Sequence, residues 1–188
     1  MKNLKTIAIA LLATISLTIS AQTKTVDASK SAINWVGKKV TGSHEGTIGI
    51  KSGTLIFKKN KLTGGTFVVD MNALIVTDLA AGKGKENLEG HLKADDFFGT
   101  TKFPTATLIF KKIIAKPSGV YAVTGDLTIK GITKSVTFDL ATTATTASTA
   151  LKVDRTKYDI KYNSGNFFQN LGDKVINDDF ELKVLLQF

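Results

Sequence analysis

The 188-residue chain carries 25 Lys+Arg against 16 Asp+Glu, a formal net charge of +9, with 43% hydrophobic residues and no cysteine. That length suits one domain with a sizeable core, and the missing cysteine excludes disulfides, thiolate metal sites, thiol nucleophiles and a lipidated N-terminal cysteine. A mean hydropathy of +0.07 excludes a disordered or collagen-like chain, while the charge leaves nucleic acid, a membrane surface or plain solubility open.

In chain order, Lys2 and Lys5 precede an apolar run from Ile7 to Ile19, and Ser20-Ala21 precede a polar Gln22. A basic start, a short apolar core and small residues before a polar one form the pattern of a secretory signal peptide. The run of about 13 residues is shorter than the roughly 20 needed to cross a bilayer. Cleavage after Ala21 would leave one soluble domain, residues 22–188, periplasmic or secreted, with a charge of +7. Arg155 is its one arginine, and base-edge readout and base stacking favour arginine, so nucleic acid is a poor partner. The adjacent pairs Lys38-Lys39, Lys58-Lys59 and Lys111-Lys112 fit edge protection of strands or a loose attraction to anionic lipid headgroups.

Beyond the leader, apolar residues alternate with period two. Runs open at Ile33-Asn34-Trp35 toward Val40, then cover Gly46 to Lys58, with a bulge or bend expected at Ser52-Gly53. Thr66 to Met71, Thr105 to Ala115, Val120 to Lys130 after a Pro117-Ser118-Gly119 turn, and Ser135 to Leu140 follow. Leu151 to Tyr162 is expected as a strand, and Phe180 to Phe188 places Phe180, Leu182, Val184, Leu186 and Phe188 on one face. Gly84 to Phe98 predicts a helix with Leu88, Leu92 and Asp95 near one face; Phe167 to Leu171 reads as a short helix or a loop. The Thr-rich stretch Ala141 to Ala150 is expected to be extended. About eight strands, several of them long, predict an all-β antiparallel barrel with one or two short helices and room for one small ligand.

Catalytic and metal chemistry find little support. His44 and His91 lie in no zinc-binding spacing, no serine falls in G-x-S-x-G, and Gly82-Lys83-Gly84-Lys85 lacks the spacing of a phosphate loop. Asp95-Asp96 and Asp178-Asp179 are adjacent, so each pair points apart rather than across a cleft. No catalytic, cofactor or metal residue is assigned. Phenylalanine is plentiful, with 11 against 3 Tyr and 1 Trp. Phe97-Phe98, Phe103 and Phe167-Phe168 fall outside strands, where a ring of them would suit a long apolar ligand.

His91-Leu92-Lys93-Ala94-Asp95-Asp96-Phe97-Phe98, followed by Phe103-Pro104-Thr105-Ala106, resembles the H-L-x-x-x-D-F-F and F/Y-P-x-A signature of the YceI-like proteins. Gly125 to Lys134 (GDLTIKGITK), Val26-Asp27 through Ser31, and Asp154-Arg155 with Tyr158 to Tyr162 are similar to further family segments in the same order. One segment departs: the family's Arg-Asp pair before H-L is replaced around Lys85 to Gly90, and its polar contact does not carry over. The resemblance implies an exported lipocalin-like barrel that encloses a polyisoprenoid, an isoprenoid quinone or a similar amphiphile without catalysing a reaction. Trp35, Phe67, Val69, Leu108, Phe110, Leu127, Ile129 and Phe138 are then expected to line the tube. Phe98, Phe103, Phe167 and Phe168 are expected at its mouth, with His91 offering a hydrogen bond to a headgroup. A small outer-membrane barrel, supported by the alternation ending at Phe188, is the runner-up. An enzyme acting on a lipid through His91 comes third. Transient membrane contact and a homodimer stay open.

Overall fold

The computed structural model describes residues 21–188, so the leader predicted over 1–21 lies, but for Ala21, outside the described residues. The strands are β1 (Gln22–Thr25), β2 (Ala32–Lys39), β3 (Gly42–Lys58), β4 (Lys61–Val76), β5 (Thr105–Ala115), β6 (Val120–Ile129), β7 (Ile132–Thr142), β8 (Thr146–Asp154) and β9 (Ile176–Gln187). Neighbours run β3-β2-β9-β8-β7-β6-β5-β4, all antiparallel, and β4 pairs back onto β3. The result is a closed eight-stranded barrel. β1 adds no ninth stave: it pairs with Thr54–Phe57 of β3, and β2 pairs with Gly42–Ile48 of the same strand. Between them the chain jogs at Asp27, which accepts from Ser29 N–H and Oγ–H, at 3.1 and 2.6 Å. Those bonds and the Lys30 ammonium hold the Asp27 carboxyl down at about 2.

Alternation puts apolar side chains inside and charges outside. The barrel exterior carries ion pairs: Lys111–Asp126 between β5 and β6, Lys38–Glu181 between β2 and β9, and Lys116, just past β5, with Asp139 on β7. That polarity is opposite to a membrane barrel, whose outer face must be an apolar band, so the outer-membrane reading loses its footing.

Several boundaries differ from those the sequence suggests. The expected irregularity near Ser52 is a bulge at Lys51, where pairing slips between Ile50 and Ser52. β4 extends past Met71 to Val76 because Met71–Leu74 bulge out opposite Ile48, burying Met71 and Leu74. Ala141 to Ala150 is two strand ends around a turn, in which the Thr143 hydroxyl takes the Thr145 and Thr146 N–H groups.

Leu151 to Tyr162 is not one strand. β8 stops at Asp154, whose carboxylate accepts from the Thr156 N–H at 2.9 Å and opens a 3-10 turn over Arg155–Tyr158. Asp159 then turns left-handed at φ 59°. Tyr158 and Ile160 keep their alternating burial, but they spend it on packing across the barrel end.

The helix α1 (Lys85–Lys93) is shorter than predicted. Ala94 is extended, and Gly99 and Thr100 donate back to the Ala94 and Lys93 carbonyls at 2.8 and 3.0 Å. Asp95 therefore leaves the helix for solvent, and Phe97 and Phe98 turn into the core. The Glu89 carboxylate accepts from Val76 N–H at 2.8 Å and ties α1 to the end of β4. The stretch from Phe167 to Leu171 is a loop, followed by a 3-10 turn at Gly172–Lys174.

Candidate ligand-binding cavity

Two cavities lie inside the barrel. The inner one, about 100 Å³, is lined entirely from strands: Ile33, Ile50, Phe67, Val69, Leu108, Phe110, Leu127, Val136, Phe138, Leu140, Thr149, Leu151, Leu182, Val184 and Leu186. Thr149 is its one polar side chain. Its far end is closed by the core that includes Phe57, Leu62 and Tyr121, with Phe188 packed on Phe57 and Lys24 over both rings.

The second cavity, about 120 Å³, opens at the other end among Trp35, Ile48, Leu74, Leu88, Leu92, Phe97, Phe98 and Phe180, rimmed by Lys38, Lys39, His44, His91, Arg155, Asn177 and Asp179. The cavities share no lining residue, yet they abut. On three adjacent strands the inward neighbours two residues apart fall one on each side: Ile33 and Trp35, Ile50 and Ile48, Leu182 and Phe180. They are successive storeys of one tube, and Leu151 packs against the cores of both.

Trp35 depends on a glycine. It faces Gly46 across the β2–β3 ladder, and a Cβ there would lie 2.8 Å from its ring and 1.8 Å from the Ile75 carbonyl oxygen. The Trp35 indole N–H is buried without a hydrogen-bond partner.

At the rim, Arg155 is 2% exposed. Its guanidinium donates to the carbonyls of Asn177 at 3.0 Å, Ile160 at 2.9 Å and Ile176 at 2.9 Å, and lies 3.6 Å from Asp178. The cation also sits 5.8 Å from the Phe97 ring centroid. One side chain thus clamps both ends of the segment from Ile160 to Asn177. Burial lowers its affinity for the proton, partly countered by Asp178 and Asp154. Burial likewise pushes the Tyr158 hydroxyl up to about 12. His91 reaches Asp96 at 3.1 Å and stacks edge-on against Tyr162 at 4.5 Å. His44 Nδ1 lies 2.7 Å from Asp78, which also accepts from the Glu45 N–H at 3.1 Å. Burial raises the Asp78 carboxyl, but those two hydrogen bonds outweigh it and the net shift is downward.

A family model described as a YceI-like domain matches residues 24–188. The chain belongs to the YceI-like family. The sequence is 35% identical to a UPF0312 protein of Shewanella denitrificans over 85 residues, which are 45% of this chain and 42% of that one. It is 47% identical to the UPF0312 protein SAR2769 of Staphylococcus aureus over 55 residues, 29% of each chain. The chain thus matches less than half the length of these curated relatives. Burkholderia cenocepacia BcnA superposes with a TM-score of 0.70 at 22% identity, covering 87% of this chain and 99% of that one. A polyisoprenoid binding domain from Saccharophagus degradans gives 0.59 at 16% identity, covering 90% and 97%. Campylobacter jejuni YCEI protein gives 0.56 at 16%, covering 100% and 90%. At such identities the likeness is one of fold.

In this YceI-like barrel, Phe67, Val69, Leu108, Phe110, Leu127 and Phe138 line the inner cavity, and Trp35, His91 and Phe98 the outer one. Four predicted residues fall elsewhere. Ile129 is buried in the core around Phe97 and Phe98, at the last position of β6. Phe103 packs over Gly99 and over Gly131 in the β6–β7 turn. Phe167 and Phe168 stand half-exposed outside the tube, because their N–H groups are turned back onto the Ser164 carbonyl at 3.1 and 3.0 Å. Sequence reasoning missed Arg155 as a rim residue, although a single arginine among lysines at the end of a strand was a visible signal. It also left out the inward face of β9, whose alternation it had recognised.

Proposed function

We propose that this protein binds and carries a long apolar chain with one polar end, of the polyisoprenoid or isoprenoid-quinone class, without reacting with it. The observation that carries this reading is the tube itself: apolar walls through two storeys, a closed far end, and polar side chains gathered at one rim. An apolar tail in the inner storey gains about 0.8 kcal/mol for each methylene removed from water, and the polar end would meet His91, His44 and the lysines. Each cavity is of the size class that takes one benzene ring, so a chain of several isoprene units requires side chains between the storeys to swing aside. The fold shared with a polyisoprenoid-binding domain supports the class of cargo. The leader pattern supports export, to the periplasm or outside the cell.

The test is organic extraction of the mature protein purified from its native host, followed by mass spectrometry, and loading of delipidated protein with a polyprenol. Trp35 is the one tryptophan and lines the outer storey, so loading is expected to change its emission. Protein that repeatedly yields no lipid and takes up no polyprenol would overturn the reading.

A further inference from the structure

The eight staves are not joined equally. Ladders between neighbours hold seven or more residue pairs at every joint but two. β4–β5 has five, and β7–β8 has two, Ala141 with Ser148 and Thr142 with Ala147. At β4–β5 the loose end is plugged. The Phe110 ring lies where a Cβ on Gly65 would come within 2.7 Å of it, and the Tyr121 hydroxyl accepts from the Leu62 N–H at 3.3 Å.

Both strands of the β7–β8 joint are well paired on their other sides. β7 keeps its ladder to β6 as far as Ile132, and β8 keeps its ladder to β9 as far as Asp154. Toward each other they part below the hairpin. Continued in register, the ladder would next give the Asp139 carbonyl the N–H of Ala150; instead that carbonyl accepts from the Thr149 hydroxyl at 2.7 Å. Thr149 is the one polar side chain of the inner cavity, and this bond is its use. From there to Ser135 and Asp154 the strands face each other without a ladder, over about 16 Å. The 3-10 turn Arg155–Tyr158, packed against β7, ends the opening.

Inside, the seam is flanked by Val136, Phe138 and Leu140 on β7 and Leu151 on β8, all lining the inner cavity. Outside, Ser135, Thr137, Asp139, Ala150 and Lys152 are exposed. The charged ones pair away from the seam, Asp139 with Lys116 and Lys152 with Glu181 on β9. Below Thr149 the seam is therefore closed by apolar contact, which an apolar chain can replace without breaking a ladder.

End-on entry is harder. A chain threading from the mouth must pass Trp35, Phe98 and Phe180 and then the narrowing between the storeys. We infer that the β7–β8 seam is a side door, through which an apolar chain is laid lengthwise into the inner storey while its polar end stays at the rim. The door rests on the carrier reading for its cargo, but the seam can be tested without any cargo.

In an antiparallel strand, N–H groups point alternately to the two neighbours. The bond from Thr143 N–H to the Thr146 carbonyl at the hairpin end fixes the phase. The N–H groups of Ser135, Thr137, Asp139, Ala150 and Lys152 thus face the seam, and those of Val136, Phe138, Leu151 and Val153 face β6 or β9. Hydrogen exchange followed by NMR on delipidated mature protein should show the first set exchanging at least about a hundredfold faster than the second. Equal protection of the two sets overturns the inference, whether a ladder forms in solution or a second copy pairs there.

The door is then clamped. The chain has no cysteine, so Thr137→Cys with Lys152→Cys, opposite each other on the outside of the seam, can be joined by a short bis-maleimide. Polyprenol uptake, followed by Trp35 emission, should slow at least about tenfold in the linked protein and reach the same final level. Capping the two thiols singly with N-ethylmaleimide should leave the rate unaltered. Equal rates in linked and capped protein overturn the door. Fast exchange at the seam with no uptake by any form would keep the opening and remove the carrier reading together with its door.

Discussion

Every side chain lining the inner storey stands on a strand, from Ile33 on β2 to Leu186 on β9. The outer storey instead draws Leu88, His91 and Leu92 from α1, Phe97 and Phe98 from the turn after it, and Arg155 from a 3-10 turn. A strand wall needs only alternation and the ladder, which satisfies its own backbone groups. Segments that cross a barrel end have no ladder, so their carbonyls need donors brought from elsewhere. Arg155 donates to one such carbonyl, that of Ile160, and to those of Ile176 and Asn177 at the irregular start of β9, where the crossing segment ends. The two storeys can therefore fail separately, one by packing and the other by polar pinning.

The largest expected effect comes from removing that pin. Arg155→Met keeps an apolar stem against Phe97 but leaves the Ile160, Ile176 and Asn177 carbonyls without their guanidinium donors and Asp178 without its cation. Removing one partner of a largely buried ion pair costs about 3–5 kcal/mol, and here three carbonyls lose their donors with it. A urea titration followed by far-ultraviolet circular dichroism should show it. Because Trp35 reports on the outer storey, its emission should shift at denaturant concentrations below the β-sheet transition. Coincident transitions with a loss under about 1 kcal/mol would mean that the mouth is not pinned this way.

A smaller effect is expected where the storeys meet. Leu151 is partly buried and touches the cores on both sides. Leu151→Ala should cost about 2 kcal/mol, at the low end for such truncations, because the site already borders a cavity. In exchange it should join the two cavities, so that an elongated fluorescent fatty acid loads faster and to a higher level. Unchanged loading rates would place the barrier elsewhere, at the Trp35 and Phe180 layer.

The same division governs what could be read before the structure was known. The period-two signal gave the eight staves, the bulge beside Ser52 and six of the inner lining residues, since inward positions on a strand follow from alternation alone. It misled at Tyr158 to Tyr162, where alternating burial persists after the ladder has ended, and only the Asp154 cap and the left-handed Asp159 break the strand. Apolarity alone points Phe167 and Phe168 to the mouth. Their outward setting depends on the Ser164 turn and the Arg155 clamp, contacts between parts of the chain that no local pattern encodes. The partnership of His44 and Asp78, 34 residues apart, was invisible for the same reason.

That last pair supplies the gentlest way to separate the storeys, because the inner wall carries no ionisable side chain while the rim does. Asp78 has its folded-state affinity for protons lowered below the ordinary 3.8 by the His44 and Glu45 hydrogen bonds. A carboxyl lowered by folding contributes stability that is present above its unfolded value and lost as pH falls through its folded value. The contribution should therefore be whole at pH 6 and fade below about pH 4. The pair is partly exposed, with side-chain exposures of 33% and 23%, so its worth is about 1 kcal/mol or less. Asp78→Asn should lower the denaturation midpoint slightly at pH 6, and the gap from the unaltered protein should narrow as pH falls below about 4. Asp27, Asp159 and Glu181 are lowered as well, but they titrate in both proteins and cancel in the difference. A gap of the same size at every pH from 6 down to 3 would mean that Asp78 serves the rim through shape rather than charge.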